Sequence, residues 1–184
     1  MFSEAGSNVM PRYVAFLRAI NVGGHTVKMD PLRRLFETMG FANVQTFIAS
    51  GNVIFDAALT DTGALERQIE DSLREALGYE VATFIRTTSE VAEIASCQPF
   101  NDAEGHALYI AFLATPPGDE AAQKLLAFAD EVDEFHITGR EVYWLCRKKM
   151  SESAFSGALL EKTLGMQATL RNSTTVRKIA ARYP

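Results

Sequence analysis

In the run from Tyr13 to Ile20 (Tyr-Val-Ala-Phe-Leu-Arg-Ala-Ile), apolar residues occupy both alternating faces. A strand covered on both sides carries that pattern, so a central place in a sheet is expected. Leu32, Leu35, Phe36 and Met39 then recur at i, i+3, i+4 and i+7, one stripe of a helix. Asp30 is placed to cap it, Pro31 suits its first position, and Gly40 suits its end. Val44 to Phe55 predicts a hairpin that turns at Ser50-Gly51-Asn52. Asp61 to Leu77 predicts a helix with Leu65, Ile69, Leu73 and Leu77 inward and Gly78 as its stop. Val81 to Arg86 predicts a strand, and Thr87-Thr88-Ser89 caps a short helix carrying Val91 and Ile94. Strand, helix, hairpin, helix, strand is the βαββαβ order of a ferredoxin-like unit.

The order then recurs. Tyr109-Ile-Ala-Phe-Leu repeats Tyr13-Val-Ala-Phe-Leu 96 residues on, and Val132–Tyr143 repeats Val44–Phe55 88 residues on. Leu164-Gly165 follows Leu77-Gly78, Ala168-Thr169 follows Ala82-Thr83, and Arg171 falls on Arg86. Matches in the same order along the whole chain predict a tandem duplication. The fold class expected is α+β: two ferredoxin-like units, 12–101 and 102–184, packed together over their bare sheet faces. Residues 1–11 read as a loose tail ended by Pro11. The falling offset places extra residues between the first strand and the hairpin of the leading unit only, at Arg18–Lys28. A loop elaborated in one copy is not needed to build the fold, which makes it the first place to look for a site.

Three motifs carry a resemblance: Arg18-x-Ile-Asn-Val-Gly-Gly, Ser50-Gly-Asn-Val-x-Phe55, and Thr169-x-Arg-Asn-x-x-Thr-Val176. From about Arg12 to the C-terminus, the chain resembles the bacterial family catalogued as domain of unknown function 1697. The resemblance implies a tandem of ferredoxin-like subdomains and no established activity. It also implies that tryptophan is usual where this chain has Ser173, and lysine common at Ala154.

Composition removes several function classes. A net charge of −5 argues against non-specific nucleic-acid binding. Locally, Arg171, Arg177, Lys178 and Arg182 close the chain with no acid among them, which keeps an anion site open. Cys97 and Cys146 have no metal or disulfide spacing, so reduced thiols and a cytoplasmic location are expected, with Cys146 in the core. No run is long enough to cross a membrane, and no signal peptide stands at the N-terminus.

The candidate ligand-binding residues are Arg18, Asn21, Gly23, Gly24 and His25 of the loop, with Arg171, Asn172 and Thr174 near the last helix. Paired glycines before a helix start can present N–H groups to an anion, or simply make a turn. Arg18 interrupts an apolar strand, so it is either ion-paired or aimed at a ligand. Ser173 or Thr174 reads as the N-cap of a helix over Thr175–Tyr183. Arg147-Lys148-Lys149 reads as a solvated basic turn. Asp133 and Glu134 read as an edge that resists pairing. No catalytic motif or metal-ligand set is visible; the cofactor, the reaction and the oligomeric state stay open. The leading expectation is a small carboxylate- or phosphate-bearing ligand in one cleft bordered by both groups of residues. The alternatives are a non-enzymatic interaction module and single-strand nucleic-acid stacking on Tyr13, Val14 and Phe55.

Overall fold

The computed structural model describes residues 10–21, 24 and 26–184. The leading unit runs β1 (Arg12–Leu17), α1 (Met29–Thr38), β2 (Ala42–Phe47), β3 (Asn52–Asp56), α2 (Thr62–Leu77), β4 (Thr83–Thr87) and α3 (Thr88–Ser96). The second runs β5 (Ala107–Leu113), α4 (Asp119–Leu126), β6 (Asp133–Thr138), β7 (Glu141–Cys146), α5 (Gly157–Leu164), β8 (Ala168–Asn172) and α6 (Ser173–Arg182). The sheets have the orders β2-β3-β1-β4 and β6-β7-β5-β8, with every neighbouring pair antiparallel. This is the duplicated α+β layout expected.

Three apolar clusters hold it together. α1 and α2 bury Leu32, Phe36, Leu65, Ile69 and Leu73 against one face of the first sheet. α4 and α5 bury Leu125, Leu160 and Leu164 against the second, where Cys146 also lies. The two remaining sheet faces meet each other. Val14, Phe16 and Ile54 join Ile110, Phe112, Tyr143 and Leu145 in the central cluster, which α3 and α6 complete with Val91, Ile94, Val176 and Ile179. At its middle the rings of Phe16 and Phe112 stack with centroids 3.9 Å apart. Tyr13, Val14 and Phe55 are all buried, so the aromatic platform that stacking on bases requires is not exposed.

The strand registers correct the alignment of the two units. Tyr13 pairs with Phe55 as Tyr109 pairs with Trp144, so Phe55 corresponds to Trp144 and not to Tyr143. One residue of slip moves a side chain to the other face of a sheet. Accordingly, Phe55 and Trp144 pack on the helix sides while Ile54 and Tyr143 enter the central cluster. Likewise Leu17 faces Thr83 as Leu113 faces Ala168, so Ala168 matches Thr83 rather than Ala82, while Arg171 does match Arg86. Extra length in the leading unit is also spread wider than expected. The strand-to-helix crossing is eleven residues, 18–28, against five, 114–118. The hairpin turn is four residues, 48–51, against two, 139–140.

Several boundaries move. β1 stops at Leu17, because Ala19 turns the chain with φ +54. α1 starts at Met29 on Lys28, so Asp30 is not its cap and Pro31 is its third residue. Proline is tolerated anywhere in the first turn, whose N–H groups lack intrahelical partners. β4 begins two residues later than expected and Thr87 caps α3, with Glu90 completing a capping box. Asp133 is not a solvated guard of the edge: it is buried, and accepts Trp144 Nε1–H at 2.7 Å and Ser153 Oγ–H at 2.6 Å. Arg147 is not simply solvated either, since it donates to Asp102 and Glu134.

Candidate functional site

Two arginines cross between the units at equivalent places. Arg86 of β4 is 1% exposed and reaches into the second unit. Its Nε donates to Glu141 Oε1 at 2.6 Å and its Nη2 to the carbonyls of Leu113 (2.9 Å) and Arg140 (3.2 Å). Arg171 of β8 is 7% exposed and reaches into the first unit in the same way. Its Nε donates to Asn52 Oδ1 at 2.6 Å and its Nη2 to the carbonyls of Leu17 (2.9 Å) and Gly51 (3.3 Å). Each guanidinium also lies over the phenylalanine of the other unit, Arg86 on Phe112 at 5.6 Å and Arg171 on Phe16 at 5.8 Å.

The counter-charge differs. Glu141 neutralises Arg86, whereas Arg171 meets only neutral acceptors among the described residues, Thr169 Oγ1 and Leu170 O being the others. Burial without an opposing acid pulls the Arg171 guanidinium down to about 10, still a cation at neutral pH. Asn52 also has a second task that an acid would not perform. Its amide Nδ2 donates to Phe47 O and Ser50 Oγ, both at 2.9 Å, and so ties the longer hairpin turn. Gly51 in that turn has φ +75, and a Cβ there would lie 2.6 Å from Ile20 Cγ2. Only glycine lets its carbonyl approach Leu17 and Arg171 this closely.

Around this cation lies a hollow of about 800 Å³ between the units. The end of β1, the 48–51 turn, α5 and β8 form its walls, with Leu17, Ile20, Ile48 and Leu170 as its apolar surface. Ala19 and Ile48 on its rim both have positive φ, +54 and +51. For a β-branched residue such as Ile48 that conformation is strained, and its side chain is largely exposed here. Arg18 lines the hollow and is ion-paired, with Nε to Glu161 Oε1 at 2.7 Å and Nη2 to Oε2 at 2.8 Å. Burial would raise Glu161, but the hydrogen bonds from Arg18 and from Ala168 N–H hold it below its ordinary range. Arg18 Nη1 makes no hydrogen bond among the described residues, and the side chain is 36% exposed. Two arginines against one glutamate leave the hollow positive.

The equivalent place on the other side is smaller and of opposite sign. About 260 Å³ is lined by Glu66, Glu70 and Arg67, with Ala114 where the first unit has Arg18. There the two carboxylates accept the N–H groups of Ile85 and Thr83, each at 2.8 Å.

The expected single cleft divides in two. Arg18, Asn21 and Arg171 line the hollow between the units. Asn172 and Thr174 line a different one, at the start of α6. Asn21 holds the loop in shape, donating to Ala49 O at 2.8 Å and accepting Val27 N–H at 2.6 Å. Asn172, not Ser173 or Thr174, caps α6, its Oδ1 accepting Thr174 N–H at 2.8 Å. Gly24 is exposed with φ +90, as a turn requires. Gly23 and His25 lie outside the described residues. Glu161 and Ile48 carry no mark in the sequence, since no local signal points to a partner 143 residues from Arg18.

Fold and paired corners define a class: an α+β protein built from two ferredoxin-like units that exchange arginines across a shared core. The chain belongs to the family described as "Protein of unknown function (DUF1697)", which matches residues 10–143. Among solved structures it is similar to the conserved bacterial protein SP0830 from Streptococcus pneumoniae, at 21% identity and a TM-score of 0.70. That alignment covers 94% of this chain and 98% of the other. No match was found among curated proteins. Among the described residues, no helix is long and apolar enough to cross a membrane.

Proposed function

We propose that the protein binds a small ligand carrying a carboxylate or phosphate on an apolar body, in the hollow between its units near the Arg18–Lys28 loop. The observation that carries this reading is the Arg171 cation, buried without a counter-charge where its twin Arg86 has Glu141. All five of its N–H groups are spent on the protein, so it acts through its field rather than by direct contact. Arg18 supplies the contact: Nη1 is free to donate while Nε and Nη2 keep Glu161. Leu17, Ile20, Ile48 and Leu170 would take the apolar body. The free thiols Cys97 and Cys146 support a reducing compartment, in keeping with a cytoplasmic location.

A thermal-shift screen of aliphatic and aromatic carboxylates, phosphate esters and nucleotides tests the reading. Stabilisation by acidic compounds is expected, and Arg18→Ala weakens it by roughly tenfold or more in Kd. Binding that neutral isosteres reproduce, or a screen in which no acidic compound with an apolar body loses affinity in Arg18→Ala, contradicts it.

A further inference from the structure

We propose a second site, independent of the first: the start of α6 takes the phosphate group of a small polar metabolite. The comparison is with α3, the equivalent helix of the leading unit. There the positive end of the helix is closed by the chain's own acid. Glu90 Oε2 accepts Thr87 N–H at 2.8 Å while Thr87 Oγ1 accepts Glu90 N–H at 3.1 Å. In α6 the residue at Glu90's position is Thr175, and the first turn contains no acid. Asn172 satisfies Thr174 N–H, and the N–H groups of Ser173 and Thr175 have no intrahelical acceptor. The dipole of α6 at this end is therefore left for an external anion.

Ser173 points to the same ligand on separate grounds. It is 6% exposed, yet its hydroxyl makes no hydrogen bond to any described residue. Every described side-chain nitrogen or oxygen that is fully sealed from solvent has a partner. Its Oγ must therefore face open space, and the space Ser173 lines is a hollow of about 510 Å³. A polar group so placed is aimed at something that enters the hollow. Arg177, one turn along the same helical face, lines it too and has no ion-pair partner among the described residues. Ser173 hydroxyl, helix N–H groups and a forked guanidinium make a donor set for a phosphate. The hollow exceeds one phosphate, and Gln98, Asn101 and His106 on its wall suit a hydroxylated body. The exposed Glu104 lines it as well and opposes an anion, so its removal strengthens binding.

The full chain is titrated with inorganic phosphate, and with ribose 5-phosphate against ribose, by calorimetry and thermal shift. The phosphates bind and ribose does not. At ten times Kd the Tm rises by roughly 3–6 °C. Thr175→Glu copies the capping box of α3, keeps the fold and abolishes the response; Arg177→Glu loses at least about tenfold in Kd. Arg18→Ala, in the other hollow, leaves phosphate binding unchanged, which separates failure of this site from failure of the first. No response of the wild type to either phosphate, or one that survives Thr175→Glu, overturns the proposal.

Discussion

The corner at Arg86 and the corner at Arg171 are the same construction with a different acceptor side chain. In both, a guanidinium leaves the last strand of one sheet, takes two carbonyls at the end of the other, and rests on a phenylalanine ring. One finds a carboxylate and the other an amide. The amide follows from the turn it serves. Glu141 follows a two-residue turn that needs no side-chain donor, whereas Asn52 donates to Phe47 O and ties a four-residue turn. The two corners thus share the cation that clamps the units and differ in its counter-charge. The side without a counter-charge is also where Arg18 stands in place of Ala114 and where the larger hollow opens. A difference that costs stability and coincides with an opening is what a binding site looks like when a symmetric scaffold is adapted in one half.

Breaking the matched corner has the largest expected effect. Glu141→Gln leaves Arg86 buried with no acid in direct contact, and about 3–5 kcal/mol of unfolding free energy is lost in urea or guanidinium titration. A loss below about 1 kcal/mol would mean that the carbonyls alone satisfy Arg86, and that the contrast with Arg171 has no energetic content. A smaller effect concerns acid. Glu161 is held below its ordinary 4.5, so its contribution is complete above that range and is lost as pH falls through the depressed value. With Arg18 partly exposed, about 0.5–1 kcal/mol is at stake. Glu161→Gln removes that part of the acid sensitivity in melting curves from pH 6 to 3, and an unchanged pH slope contradicts the pairing.

Most of the architecture was legible in the chain. Glycines at 78 and 165 end their helices with positive φ, and the apolar stripe of each long helix faces its sheet. What slipped did so for physical reasons. β3 and β7 are buried on both faces, so they show no alternation to set their register, and the adjacent aromatics Tyr143 and Trp144 made a one-residue error invisible. The cap of α6 is ambiguous in the sequence because Asn172, Ser173 and Thr174 are all capping residues, and β8 runs into the helix without a loop. Arg171 was legible as the equivalent of Arg86 but not as a clamp, because the acceptors of its Nε and Nη2 lie in another unit. Arg18 announced itself as a charge in an apolar strand; nothing near it announced Glu161.

The most direct measurement compares acidic-ligand binding by the wild type and by Asn52→Asp, with the best compound from the screen titrated calorimetrically into each. The substitution places a carboxylate against Arg171 and loses the amide donor, so the net change in stability is within about 1 kcal/mol. Loss of at least about tenfold in affinity, with the fold intact, is the predicted result. Equal affinity in the two proteins would show that the uncompensated charge of Arg171 does not make the site.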